Sequence, residues 1–226
     1  MALTNVLLLS QIAGYGIGLI LSLCIIVPMS MHRDEFNGHC LLFSGGIWQT
    51  GDGKLAVDWA SQAYCNYVIV VGVIMFMVCS FQIYRLSVLM YRGRDSSFLS
   101  AFAEAVCCMA VCALAVAAAL IVTFGFITWC QKIVERFPSC EDGAGPEIDI
   151  IDNIHTDRFY IEIGTTQFAT WASFATWVGL AVFAMLKVCR YHQLDNIQVS
   201  MYRERQRLVN EDGGGASTPP LRANDQ

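Results

Sequence analysis

Charge is what this chain has least of. Asp, Glu, Lys and Arg make up 15% of the 226 residues, against 55% apolar residues, a balance too apolar for an ordinary soluble domain. No dense basic patch is left over for nucleic acid. Histidine is almost as scarce: His32, His39, His155 and His192 all lie outside the apolar runs, so there is no H-x-x-x-H zinc pair and no pair of intramembrane haem ligands. Ten cysteines occur without one C-x-x-C pair, which argues against a thiol oxidoreductase. Cys108 and Cys112 share a helix face, but without a histidine or third thiolate they make a poor metal site. There is no N-x-Ser/Thr acceptor, and N-glycosylation is not expected. No serine, cysteine or carboxylate stands in a catalytic arrangement, so the reading is of a protein that is not an enzyme and needs no cofactor or metal.

What the chain has instead is four long apolar runs, at about residues 6–29, 66–90, 101–128 and 167–189. Each reaches the roughly 20 residues that cross a hydrocarbon layer. Residues 68–81 and 106–127 are apolar nearly all round, where a soluble core helix would show a polar face. A cleaved signal peptide is the competing reading of the first run. Residues 1–5 carry no basic side chain, however, and no small-x-small cleavage site follows. The expected fold class is an all-α membrane protein: a four-transmembrane-helix bundle over residues 1–190 with a small β-hairpin in the first outer loop, then a tail over 191–226.

Basic residues set the expected orientation. Arg85, Arg92 and Arg94 surround the short connection between runs two and three, and Lys187, Arg190, Arg203, Arg205 and Arg207 accompany the tail. Both termini should therefore face the cytosol, at the plasma membrane or an endomembrane. Tyr64, Tyr67, Trp129 and Trp171 fall at expected outer ends, and Tyr84, Tyr91, Phe102 and Tyr191 at inner ends. Arg85 and Glu104 lie about one turn inside the inner boundary. They form an ion pair between helices or, the reading preferred here, reach separately to the headgroups.

The cysteines divide by side. Cys40 and Cys65 belong to the first outer loop, while Cys130 and Cys140 flank the start of the second. Four thiols on an oxidising side suggest two disulfides, and of three pairings Cys40 with Cys65 and Cys130 with Cys140 is the local solution. Cys24, Cys79, Cys107, Cys108 and Cys112 read as small packing residues. Cys189, beside Arg190 at the inner end of run four, is the candidate for lipidation.

Ser10, Gly14, Gly18 and Ser22 recur every four residues along run one, and Ala110, Ala113 and Ala117 offer a second small surface in run three. Such stripes let helices approach closely, within this bundle in preference to a partner's helix. Pro28 should stop or kink the first helix near its outer end. In the first outer loop two strand-like segments flank glycines at 51 and 53, giving the hairpin, with Trp48 and Trp59 either contacting a partner or forming a miniature core. The second outer loop is acidic, through residues such as Glu147, Asp149, Asp152 and Asp157, but lacks the spacing of a calcium loop. Residues 195–209 suit an amphipathic helix near anionic headgroups, and the segment beyond Asn210 suits disorder. Tyr191-His-Gln-Leu194 and Glu204-Arg-Gln-Arg-Leu208-Val209 resemble sorting signals.

Taken together, Gly38-His-Cys40-Leu-Leu-Phe43, Ser97-Phe-Leu-Ser-Ala-Phe102, Gly125-Phe-Ile-Thr-Trp-Cys130 and Phe168-Ala-Thr-Trp-Ala-Ser173 resemble the transmembrane protein 179 family, over almost the whole chain up to Lys187. The resemblance implies a multi-pass protein with four spans and these loop cysteines, and no reaction. A looser likeness to claudin-type proteins rests on Gly46-Ile-Trp48 and a cysteine pair. Cys40 precedes that motif instead of following it, and claudin function is not carried across. Apart from Gln11, Ser22, Thr123 and the two near-boundary charges, the runs offer little polar lining for a transporter. The expected function is accessory or scaffolding, binding another membrane protein through packed helices and tied outer loops. The alternative is an oligomeric solute or ion pore, for which a homo-oligomer would be required.

Overall fold

The structure is a computed structural model that describes residues 2–49, 55–92, 98–143 and 158–214. The glycine turn at 51–53, Arg94, the acidic residues Glu147, Asp149, Asp152 and Asp157, and the tail beyond 214 lie outside the described residues. Along the chain come α1 (Ala2–Glu35), β1 (Cys40–Trp48), β2 (Leu55–Ala60), α2 (Ala63–Arg92), α3 (Phe98–Val134), a 3-10 turn (Glu141–Gly143) and α4 (Phe159–Gly214). All four helices outrun the apolar runs that nucleate them. At 1.5 Å per residue even the 30 residues of α2 exceed a 30 Å hydrocarbon layer, because backbone hydrogen bonding does not stop where hydropathy does. Pro28 lies inside α1 without ending it, its missing N–H costing one intrahelical bond. α4 continues unbroken to Gly214, so residues 195–209 prolong the axis of the fourth span.

α1 packs between α2 and α4, α4 packs on α3, and α2 touches α3 only sparsely. The four-residue stripe of α1 explains part of this. Four residues turn a helix by about 400°, so the stripe drifts by about 40° at each step. Gly14 accordingly faces α4, where an added Cβ would stand 2.8 Å from Leu180, and Gly18 faces α2, 3.0 Å from Cys79 Sγ. Ser22 is buried, whereas Ser10 is exposed and outside the contact. Ala110 and Ala113 likewise turn outward; the small face that α3 buries is Ala101, Ala105, Cys108, Ala115 and Ala118. Large apolar residues such as Ile20, Met77, Phe81, Val106, Phe124 and Val182 cover the outside, a belt that only lipid solvates favourably.

The hairpin closes one end of the bundle. β1 and β2 pair antiparallel, Gly45 opposite Asp58 and Trp48 opposite Leu55, with an irregularity between Cys40 and Gly45. Phe43 takes a positive φ of 64° there. Ser44 stitches the bulge: its hydroxyl donates to the Cys40 carbonyl at 2.7 Å and accepts from the Ala60 N–H at 3.0 Å. Below it, α3 presents Gly125 to Leu42, and a Cβ at Gly125 would lie 2.8 Å from the Leu42 Cβ. Two disulfides tie this end, Cys40–Cys65 from β1 to the first turn of α2 and Cys130–Cys140 from α3 to the segment that follows it. Trp129, expected in the interfacial belt, is instead buried against Phe159.

Gly125→Leu is expected to lift the hairpin from α3 and cost about 1–3 kcal/mol, the usual penalty for overpacking. Thermal unfolding in detergent measures it. Gly16→Ala, whose added Cβ meets nothing within 4 Å, should leave the midpoint unchanged or slightly raised.

Candidate functional site

The end of the bundle away from the hairpin holds a buried carboxylate. Glu104 sits on the small face of α3, with Ser100 and Cys108 one turn to either side, and its side chain is wholly buried. Every other helix supplies it a donor. From α1, Gln11 Nε2 donates to Oε1 at 3.2 Å and the Tyr15 hydroxyl to the same oxygen at 3.4 Å. From α2, Arg85 Nη2 forms a direct ion pair with Oε2. From α4, Lys187 Nζ reaches Oε2 at 3.3 Å. Arg85 is fixed in turn by Nη1 donating to Ser100 Oγ at 2.8 Å, and the Tyr15 hydroxyl also contacts Cys108 Sγ at 3.4 Å.

This arrangement corrects the expectation that Arg85 and Glu104 reach separately to the headgroups. Glu104 faces the bundle, and its short side chain cannot turn back to the boundary. A carboxylate held there needs donors, and two cations with two neutral donors give each oxygen a pair. The cations remain at the rim, with side chains 22% exposed for Arg85 and 17% for Lys187. One carboxylate against two cations leaves the group with one positive charge in excess. Sequence reading missed Tyr15, used Lys187 only for orientation, and weighed Gln11 only as scant polar lining for a transporter. The available signal was common depth. Gln11, Arg85, Glu104 and Lys187 all fall within about two turns of the same end of their four runs.

A second titratable pair lies at the hairpin end. His32 of α1 is fully buried, with Nδ1 3.7 Å from Glu162 Oε2 of α4, and neither the ring nitrogens nor the carboxylate oxygens have a hydrogen-bond partner among the described residues. Phe36 packs on the His32 ring at 4.2 Å and carries the contact to Trp59, on which His39 stacks at 5.0 Å. Trp48 turns toward α3: its Nε1 donates to the Lys132 carbonyl at 3.0 Å, and Arg136 stands 5.3 Å over its ring. Both tryptophans thus lie in contacts within the chain, while Ile47 of β1 is 79% exposed. Cys189 is exposed on α4, at the margin of an apolar surface groove shared by Met185 and Met109.

Removing one partner from a buried charge group costs about 3–5 kcal/mol when it leaves an uncompensated charge. Glu104→Leu, which strands two cations, should therefore be the most damaging change in the group. Lys187→Met leaves a neutral Arg85–Glu104 pair and should cost least, with Arg85→Leu between them. Unfolding midpoints of the three variants in one detergent give the order, and equal midpoints would contradict it.

A family model described as the Transmembrane protein 179/179B Claudin domain matches residues 7–209. The match takes in all four spans, the hairpin, both disulfides and every residue around Glu104, and runs beyond Lys187 along the extension of α4. The cysteine that precedes the Gly46-Ile-Trp48 motif is therefore compatible with a claudin-like domain. No solved structure matches the chain significantly. With nearly its whole length covered, this four-helix protein, which carries a two-stranded sheet after its first helix, belongs to the transmembrane protein 179/179B claudin-domain family.

Proposed function

We propose that this protein is a non-enzymatic accessory or scaffolding subunit that binds another membrane protein through its packed helices and its disulfide-tied hairpin end. One observation carries the reading: among the described residues, the two buried charged groups are separated by a packed section with no buried charged side chain. Between Glu104 at one end and His32–Glu162 at the other, the interior is filled by residues such as Val71, Met75, Val111, Ala115, Ala118 and Val122, with small hydroxyls such as Ser22 and Ser173 among them. A solute crossing a single protomer would have to displace packed side chains there, at the density of a protein core. Transporters place ionisable groups or broken helices at that level.

The tail end, with Arg92, Lys187, Arg190, Arg203, Arg205 and Arg207, faces the cytosol in this reading, and the disulfides face the oxidising side. The hairpin then stands on that outer surface with Ile47 exposed, a rigid platform for a second membrane protein.

Purified full-length protein in sealed liposomes should pass no ions or small solutes above the lipid background. Flux abolished by Glu104→Gln would replace this reading with the oligomeric pore. Mild-detergent purification from native membranes should retain one recurrent membrane protein, lost when Cys40 and Cys65 are changed to Ser. A glycan acceptor placed in the β1–β2 connection should be glycosylated and one placed after Gly214 should not; the reverse pattern would invert the orientation.

A further inference from the structure

At the hairpin end, α1 finishes in two left-handed residues, Asn37 with φ of 51° and Gly38 with φ of 86°. Gly38 N–H donates to the Arg33 carbonyl at 2.8 Å, closing the helix end. The chain leaves sideways into β1, and a cleft of about 520 Å³ remains between the end of α1 and the start of α2. Ser30, Arg33, Asp34, Asn37, Gly38 and Ile69 line it. Its two walls are held in place, since Arg33 Nη1 donates to Asn66 Oδ1 at 3.0 Å and the neighbouring Cys65 is bonded to Cys40.

Two opposite charges line this cleft side by side in sequence, yet Arg33 and Asp34 form no ion pair with each other or with another charged side chain among the described residues. Consecutive helical residues diverge by about 100°, so the guanidinium and the carboxylate address different parts of the cleft. Arg33 is four residues past Met29, where the first apolar run ends, or about 6 Å along the helix. That is headgroup depth, while Ile69 reaches toward the hydrocarbon side.

We propose that this cleft binds a phosphoethanolamine group, the phosphate on Arg33 and the ammonium on Asp34, supplied as the headgroup of a bilayer phospholipid. A zwitterion matches the separated charges without leaving a net charge, and a guanidinium is the side chain best shaped for phosphate. Choline fits less well. Its quaternary nitrogen offers no hydrogen-bond donor and is recognised by aromatic faces, and the cleft lining contains no aromatic ring among the described residues. A primary ammonium can donate to the Asp34 carboxylate and to the Asn37 side-chain oxygen.

The test uses full-length protein in mixed micelles of phosphatidylethanolamine, phosphatidylcholine and phosphatidylglycerol in equal amounts with matched chains. Retained lipid is quantified after purification. Phosphatidylethanolamine is expected about tenfold above the other two, the scale of one charge-assisted hydrogen bond. Asp34→Asn should erase that preference, Asp34→Glu should restore it, and Arg33→Gln should lower retention of all three lipids. Both side chains are exposed, and intact disulfides in each variant confirm the fold. Equal retention of the three lipids by the wild-type protein overturns the proposal, as does a preference that survives Asp34→Asn. Binding of soluble phosphoethanolamine without enrichment of the lipid would uphold the chemistry and overturn the bilayer as its source.

Discussion

A carboxylate cannot remain charged inside an apolar bundle unless donors come to it, and Glu104 draws them from all three other helices. The constraint is geometric as well as energetic. Gln11 and Tyr15 set the height and rotation of α1 against α3, Arg85 sets α2, and Lys187 sets α4. Apolar contact alone would not do this in a membrane, because lipid tails solvate a helix about as well as another helix does. The sparse meeting of α2 with α3 makes the point. These two helices share little packing, and toward the tail end the Arg85 contacts to Ser100 and Glu104 hold them together.

The hairpin end is held by other means. Covalent bonds act there: Cys40–Cys65 joins β1 to α2, and Cys130–Cys140 restrains the segment that leaves α3. The Leu42–Gly125 approach then seats the sheet on α3. One end is thus secured by chemistry that requires an oxidising compartment and the other by electrostatics strengthened by a low dielectric. The middle buries no charged side chain among the described residues and needs neither.

How much of this was legible in the sequence follows from the range of the forces involved. The four spans, the hairpin and the local disulfide pairing depend on runs, turns and short separations, and they could be read directly. Side-chain direction within a span could not, because membrane helices are apolar on every face and hydropathy carries no phase. That is why Ser10 was grouped with Gly14 and Gly18, which do pack, although it is exposed, and why Ala110 and Ala113 were placed on a face that the structure gives to Ala105 and Ala118. The assembly of Glu104 with Lys187 spans 83 residues. Only the packing of helices brings it together, and a short-range reading of Arg85 and Glu104 favoured the nearest water. The length of α4 was missed for the opposite reason, since loss of hydropathy after Cys189 was taken for loss of continuity.

That continuity has a mechanical meaning. Past Lys187 the helix runs a further 27 residues to Gly214, roughly 40 Å at 1.5 Å per residue, with Lys187 anchored at the charge group. The segment is therefore a lever with its fulcrum at Glu104. A slight tilt of the fourth span is multiplied by that length at the far end, and a twist about the axis is transmitted along it, since each backbone hydrogen bond couples a residue to the one four positions before. Whatever holds the distal arm thereby exerts torque on the one carboxylate that sets the register of the bundle.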